Sequence, residues 1–384
     1  MAKICAAFYN AVYDKDDESV MPSWYESFFK GLKERGNELL LFQIQDFQCD
    51  YGIIDEMTKK KIIDFNPDVY ISFNNVFYDM DFLDCVQLVY EADTPIYWNN
   101  LKSLYNSNKM FCVWGDAEVR FLIENYGIDR KQIFVVSPFT EVRAEECSSD
   151  VNISFIGSRF GIDRRNEVGA IAEIDENLRN EYYRCIEAII NNPNITKKEL
   201  AKVVNNDTLL DYIDIPGIIM MMSTEKRVRV LSAIVDLGLD LYGTESWMYR
   251  YHFDSRLNVA FKNKKVYSLK HNQDIYNRSK LSINISHYQA KDCFSWRVLD
   301  IMASNACLVT DSWSGVKKKF PNLELPIYED EHQAREICKR LLNDSEMRSE
   351  IVDVCHNEIE KKYRFKHHIK ELEYICGVKL DNGR

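Results

Sequence analysis

Gly157, Ser158, Arg159 and Arg164 fall within one short stretch, directly after the apolar run Asn152 to Ile156. A glycine after a strand lets backbone N–H groups approach an anion, and clustered arginines neutralise a diphosphate. The same residues also suit a tight turn ahead of a solvated basic helix. Further along, Ser295 stands where an N-cap belongs, after a strand ending at Ser286. A helix beginning there would offer free N–H groups to the same anion. Arg297 and Asp300 share one face of that helix at i, i+3, a spacing that equally serves an ordinary surface ion pair. Thr310 to Gly315 is a third stretch of hydroxyls and amides after an apolar run, and it suits a capped turn as well.

These residues need a frame, and the apolar pattern supplies one. Short apolar runs at 4–8, 38–44, 69–73, 95–98, 110–114 and 132–136 alternate with amphipathic stretches, among them 79–90 and 118–126. Such alternation predicts a parallel, doubly wound sheet. A linker is expected over 137–150. A second unit opens at 152–156, turns helical over about 175–237, and resumes alternation from 239. Thr196 and Glu199 form a capping box within the helical part, and Ser223 to Leu237 reads as a helix ended by Gly238. The expected fold class is α/β, with two facing Rossmann-like domains at 1–140 and 151–345. The helical insertion sits at about 175–237, and helices fill 346–384. In open parallel sheets ligands bind outside the carboxyl ends of the strands, where the three stretches lie.

The chain has 384 residues, a net charge of −11 and 11 cysteines. Acidity disfavours a nucleic-acid partner, since the phosphate backbone is repelled. Cysteines at irregular spacing, with no C-x-x-C, point to free thiols in a reducing, cytoplasmic compartment. No apolar run is long enough to span a membrane. The basic stretch Lys361 to His368 leaves peripheral membrane contact open, although a charged helix face between domains explains it better.

The run Ser295-x-Arg297-x-x-Asp300-x-x-Ala303-Ser304-x-x-x-Leu308-x-Thr310-Asp311 resembles the spore-maturation-protein (CgeB-type) branch of the group-1 glycosyltransferases. Phe155 to Ser158 followed by Arg164-Arg165, and Asp274 to Ile285, are similar to other parts of that branch's second domain. The resemblance implies the GT-B fold and a nucleotide-sugar donor held by the second domain. It implies that Asp300 holds the donor ribose, that Asp292 lies near the donor sugar, and that Arg159 and Arg164 bind the diphosphate. It places the base-contacting loop at 266–269. Both acidic positions are Asp where the family has longer acids, which bears on retaining chemistry more than on donor binding.

All seven histidines lie beyond residue 251, so a histidine base in the first domain is excluded. An inverting enzyme would need a carboxylate, and Asp16 in the acidic loop 14–18 is the candidate, although such charge runs are usually solvated. His287 stands beside the donor stretch and is a candidate for contact with phosphate or sugar. The expectation is a metal-independent glycosyltransferase with no cofactor beyond its nucleotide-sugar substrate, a UDP- or other NDP-sugar. Its acceptor would be a glycan, protein or other molecule. The alternative is a nucleotide-sugar binding protein without turnover.

Overall fold

A computed structural model describes residues 1–10, 20–44, 54–95, 104–105, 108–160, 175–192, 195–204, 207–248, 254–262, 266–290, 292–312 and 314–383. The first sheet is built from β1 (Lys3–Tyr9), β2 (Glu38–Ile44), β3 (Val69–Phe73), β4 (Val86–Tyr90), β5 (Lys109–Val113) and β6 (Ile133–Val135). Its strand order is β2-β1-β3-β4-β5-β6, parallel throughout. Helices α1 (Ser23–Glu34), α2 (Glu56–Phe65) and α3 (Asp116–Tyr126) accompany it. The central strands are buried along their length, as parallel strands covered on both faces must be.

The second sheet comprises β7 (Val151–Ile156), β8 (Leu239–Tyr242), β9 (Ser279–Asn284), β10 (Cys307–Asp311) and β11 (Ile327–Tyr328). It is again parallel, in the order β11-β10-β9-β7-β8. Between β7 and β8 run α4 (Glu176–Asn191), α5 (Lys197–Leu200), α6 (Asp207–Tyr212) and α7 (Ile215–Ile234). The helices α8 (Ser255–Ala260), α9 (Leu269–Arg278), α10 (Arg297–Met302) and α11 (Ser314–Lys319) follow. The chain ends in α12 (Glu331–Asn343), α13 (Ser345–Lys362) and α14 (Phe365–Cys376). Two doubly wound domains and a helical tail are thus present.

The tail returns to the first domain. Phe365, Ile369, Leu372 and Cys376 join the core formed by β1, β3 and α1. Gly31 of α1 permits this approach, because a Cβ there would lie 2.4 Å from the Phe365 ring. His368 is buried beneath it. Its Nδ1 donates to the Ser137 carbonyl at 2.7 Å, which leaves Nε2 to accept from the Tyr90 hydroxyl. Burial pulls the His368 pKa down to about 4, so the ring is neutral.

Two expected elements differ. Residues 79–90 are not a helix: 79–85 are irregular and the segment ends as strand β4. Gln87 to Tyr90 are almost wholly buried, and pairing with β3 and β5 outweighs the helical spacing of that stretch. The helix expected from Ser223 begins earlier, at Ile215, where Asp214 accepts from the Gly217 N–H at 3.0 Å. The capping box of Thr196 and Glu199 is formed. Of the strand expected at 95–98, residues 96–98 lie outside the described residues.

Candidate active site at the facing strand ends

The loops after β4 and β5 face those after β7 and β9 across a cleft. A cavity of about 200 Å³ lies between them, bordered by Asp93 and Trp114 from the first domain and by Phe160, Arg227, His287 and Trp296 from the second. A larger groove of about 720 Å³ separates α1 from α9 and is lined by opposed charges such as Arg143 and Glu360.

The most informative group in the cavity is Arg227. It sits on the buried stripe of α7 with Ser223, Val230, Leu231 and Ile234. It is 3% exposed. One Nη donates to the Ser158 carbonyl, and the guanidinium lies 4.0 Å from the Phe160 ring centroid. Among the described residues its buried Nε has no hydrogen-bond partner. Burial and the nearby Arg297 push its pKa well below the ordinary arginine value, and an anion beside the guanidinium would offset both effects. Phe160 itself holds φ of +60°, a left-handed conformation rare for an aromatic residue. Its ring meets that of His287 edge-on at 4.5 Å.

His287 is buried, and its Nδ1 accepts from the Gln289 N–H at 2.9 Å. Burial, followed by the charges of Arg227, Lys226 and Arg297, holds its pKa well below the usual histidine value. The ring is therefore neutral, with its proton on Nε2, and acts as a donor rather than a base. Lys226 pairs with Asp311, whose carboxylate also accepts from the N–H and hydroxyl of Ser286 at 2.9 and 2.8 Å. That network locks the end of β9 to the end of β10.

Asp93 is the acid facing this basic wall. It follows β4 and is half-buried. Asn74 donates to one oxygen at 3.0 Å, and Gln289 donates to the other at 3.2 Å from across the cleft. Asn74, at φ of +55°, also accepts from the N–H groups of Ala92 and Asp93, so it fixes the turn that presents the carboxylate. Burial raises the Asp93 pKa above the usual carboxylate value, against the pull of those two donors.

The residues singled out in the sequence fare differently. Gly157 is spent structurally: its N–H donates to Tyr242 O at 3.0 Å and its carbonyl accepts from Trp247 Nε1 at 2.7 Å. It cannot cradle a phosphate through that N–H. Ser158 contributes its carbonyl to Arg227. Arg159 is buried at 5% exposure, with its own carbonyl accepting from Thr224. Ser295 is no N-cap: Trp296 occupies that place in helical conformation, and α10 has only six residues. Arg297 turns inward, donating to Ile156 O at 2.7 Å and Asn284 Oδ1 at 3.1 Å, and so ties β7 to β9.

Asp300 likewise turns to a protein partner, accepting from the Thr140 hydroxyl across the domain boundary at 2.6 Å. Surrounding protein pushes its pKa up to about 6, despite that bond and Arg297 nearby. Ribose recognition by this carboxylate would have to displace Thr140. The loop at 266–269 also meets the first domain, with the Leu269 N–H donating to Glu26 at 2.7 Å. Asp16 and Arg164 lie outside the described residues.

Asp292 borders a separate cavity and accepts from the Ala117 N–H at 3.3 Å. Glu118, Asp292 and Cys293 could each offer one metal-ligand atom, all within 4.8 Å of one another. Here the Cys293 thiol points to Glu118 at 3.6 Å, and burial with the surrounding carboxylates pushes its pKa far up. A protonated thiol is a poor ligand, and Lys318 stands 3.6 Å from Asp292.

Sequence reasoning missed Arg227 and Asp93. An arginine on an otherwise apolar helical stripe was a usable signal for the first. The second was hidden by the helical reading of 79–90.

Residues 226–374 match the sequence profile described as glycosyl transferase-like. No curated protein sequence is significantly similar to the chain. Among solved structures, the DNA-modifying β-glucosyltransferase studied with and without uridine diphosphoglucose aligns with a TM-score of 0.56 at 12% identity, over 98% of this chain and 100% of that one. The T4 phage enzyme BGT in complex with UDP and Mn²⁺ gives 0.55 at 12% identity, over the same shares. BGT with UDP-glucose gives 0.50 at 11%, again over 98% and 100%. The chain therefore has the GT-B fold, and its second domain and tail carry glycosyl transferase-like sequence.

Proposed function

We propose that this chain is a glycosyltransferase that moves a sugar from a nucleoside-diphosphate sugar to an acceptor hydroxyl. The observation that carries the reading is Arg227, a buried cation at the cleft between two GT-B domains whose Nε has no hydrogen-bond partner among the described residues. A donor diphosphate would satisfy that group, and neutral His287 would donate a further hydrogen bond. Together they stabilise the charge that grows on the leaving nucleoside diphosphate.

Asp93 is the base in this reading. The acceptor oxygen attacks the anomeric carbon from the face opposite the diphosphate. The bond from that carbon to the diphosphate oxygen breaks, and its electron pair leaves with the nucleotide. The acceptor proton passes to Asp93. A single displacement of this kind inverts the anomeric centre.

Arginine charge takes the place of a metal ion on the leaving group, so turnover needs no cation or cofactor. Sequence features of the second domain support placement in the CgeB-type branch. The ten described cysteines are free and no described helix is long and apolar enough to cross a membrane, which supports a cytoplasmic enzyme. Titration calorimetry with UDP, GDP, ADP and CDP tests the donor site. Arg227→Gln should weaken the preferred diphosphate by roughly tenfold to a hundredfold, as for hydrogen bonds to charged groups. Undiminished affinity in the folded variant would remove Arg227 from the site. Slow donor hydrolysis by the wild type separates an enzyme from a binding protein without turnover.

A further inference from the structure

We propose that Gln289 is a positioning residue: it holds the Asp93 carboxylate from across the cleft, so that the base is complete only where the two domains meet. This rests on the reading of Asp93 as the base. Gln289 lies in the second domain, in a single turn after β9, half-buried on the cavity wall. Its side-chain Nε2 donates to Asp93 Oδ1 at 3.2 Å. The amide must present its nitrogen there, because an ionised carboxylate only accepts.

The backbone of that turn is fixed on the donor side. The Tyr288 N–H donates to Ser223 Oγ at 3.1 Å, and Ser223 stands one helical turn before Arg227 on α7. The Ala290 N–H donates to the His287 carbonyl at 2.9 Å. The Gln289 N–H gives His287 Nδ1 the bond that keeps the ring proton on Nε2. One residue therefore sets the donating atom of His287 with its backbone and the base with its side chain. The groups that receive the leaving diphosphate and the group that takes the acceptor proton are kept in register by this link.

Asn74, on the base's own domain, holds Oδ2. A carboxylate tethered at one oxygen still turns about its terminal torsion, which has broad minima, and a donor on Oδ1 stops that rotation. Each oxygen carries two lone pairs, so the hydrogen bond from Gln289 leaves room for an incoming proton. The amide also suits the chemistry. Its hydrogen bond favours the ionised form and offsets part of the effect of burial. A lysine or arginine would favour that form more strongly and make a weaker base. The charged and titratable groups facing this carboxylate are Tyr25 on α1, Glu91 on its own loop, and Arg227 and His287 across the cavity.

The test follows release of nucleoside diphosphate from its glucose conjugate, with water as acceptor, against pH. The conjugate is that of whichever of UDP, GDP, ADP and CDP binds the wild type most tightly. Gln289→Leu should lower kcat by about tenfold to a hundredfold, the worth of one hydrogen bond to a charged group, with diphosphate affinity held within about threefold. Its acid limb should move to higher pH, because the ionised base has lost a donor. Gln289→Lys keeps a donor and adds a charge, so its limb should move to lower pH. A contact that only joins the domains gives no such pair of opposite shifts. Acid limbs that stay in place in both variants, while Asp93→Asn abolishes turnover, would overturn the proposal and leave the base reading standing. So would a loss in Gln289→Leu that falls on diphosphate affinity rather than on kcat. Turnover indifferent to Asp93→Asn, or a wild type without turnover, would remove the base reading and this one with it.

Discussion

Asp93→Asn separates chemistry from binding. The carboxylate accepts one hydrogen bond from Asn74 and one from Gln289. An amide keeps one acceptor and turns an NH₂ toward the other donor, so one bond is lost. That costs about 1 kcal/mol of stability, and the half-buried position lets water take up part of it. The catalytic cost is larger. A positioned base contributes about 10²–10⁴ in rate, or about 3–5 kcal/mol at ~1.4 kcal/mol per decade. The assay is release of UDP from donor with water as acceptor, alongside UDP affinity by calorimetry. Turnover should fall by at least about a hundredfold while UDP affinity holds within about threefold. Wild-type turnover also should decline on acidification through the raised Asp93 pKa, because the base must be ionised. That acid limb should be missing from the residual rate of the variant. A folded Asp93→Asn protein that turns over at the wild-type rate would refute the assignment, as would equal loss of UDP binding.

The buried acid and base at the domain boundary predict opposite pH effects. His368 has a folded pKa of about 4, below its unfolded value near 6.5, so its contribution to stability is present above pH 6.5 and is lost as pH falls toward 4, by about 3 kcal/mol at most. Asp300, raised to about 6, favours the folded state below its unfolded value near 3.8, and that contribution is lost as pH rises through 6. Asp300→Asn should therefore steepen acid denaturation between pH 6 and 4, read by urea unfolding. Gly31→Ala should lower stability by about 1–3 kcal/mol through collision with Phe365, seen as a lower thermal midpoint. Excess EDTA should leave donor turnover intact; strict dependence on added Mn²⁺ or Mg²⁺ would refute arginine-based neutralisation of the leaving group.

The alternation of apolar runs and amphipathic stretches was enough to specify two parallel-sheet domains, because strand and helix periods are local properties of the chain. The capping of α5 by Thr196 and Glu199 was legible for the same reason, as both partners lie within one turn. Strand β4 was not, since helical spacing and a strand's burial differ only once neighbours β3 and β5 cover both faces. That one ambiguity hid Asp93, whose place after a strand is what aims it into the cleft.

The basic residues show the same limit. The sequence placed arginines near a strand end, but arginine reach exceeds the width of a strand, so packing decided where each charge went. Arg297 was drawn inward by Ile156 and Asn284, and Asp300 by Thr140 on the other domain. Arg227, two-fifths of the way into the second domain and on a helix rather than a loop, came to the cavity because α7 lies against the β7 and β9 ends. The sequence by itself determined which chemistries were available and on which elements. Only the tertiary structure decided which of those groups remain for a ligand, because the bonds that occupy the others join residues of different elements and are set by packing within and between the two domains.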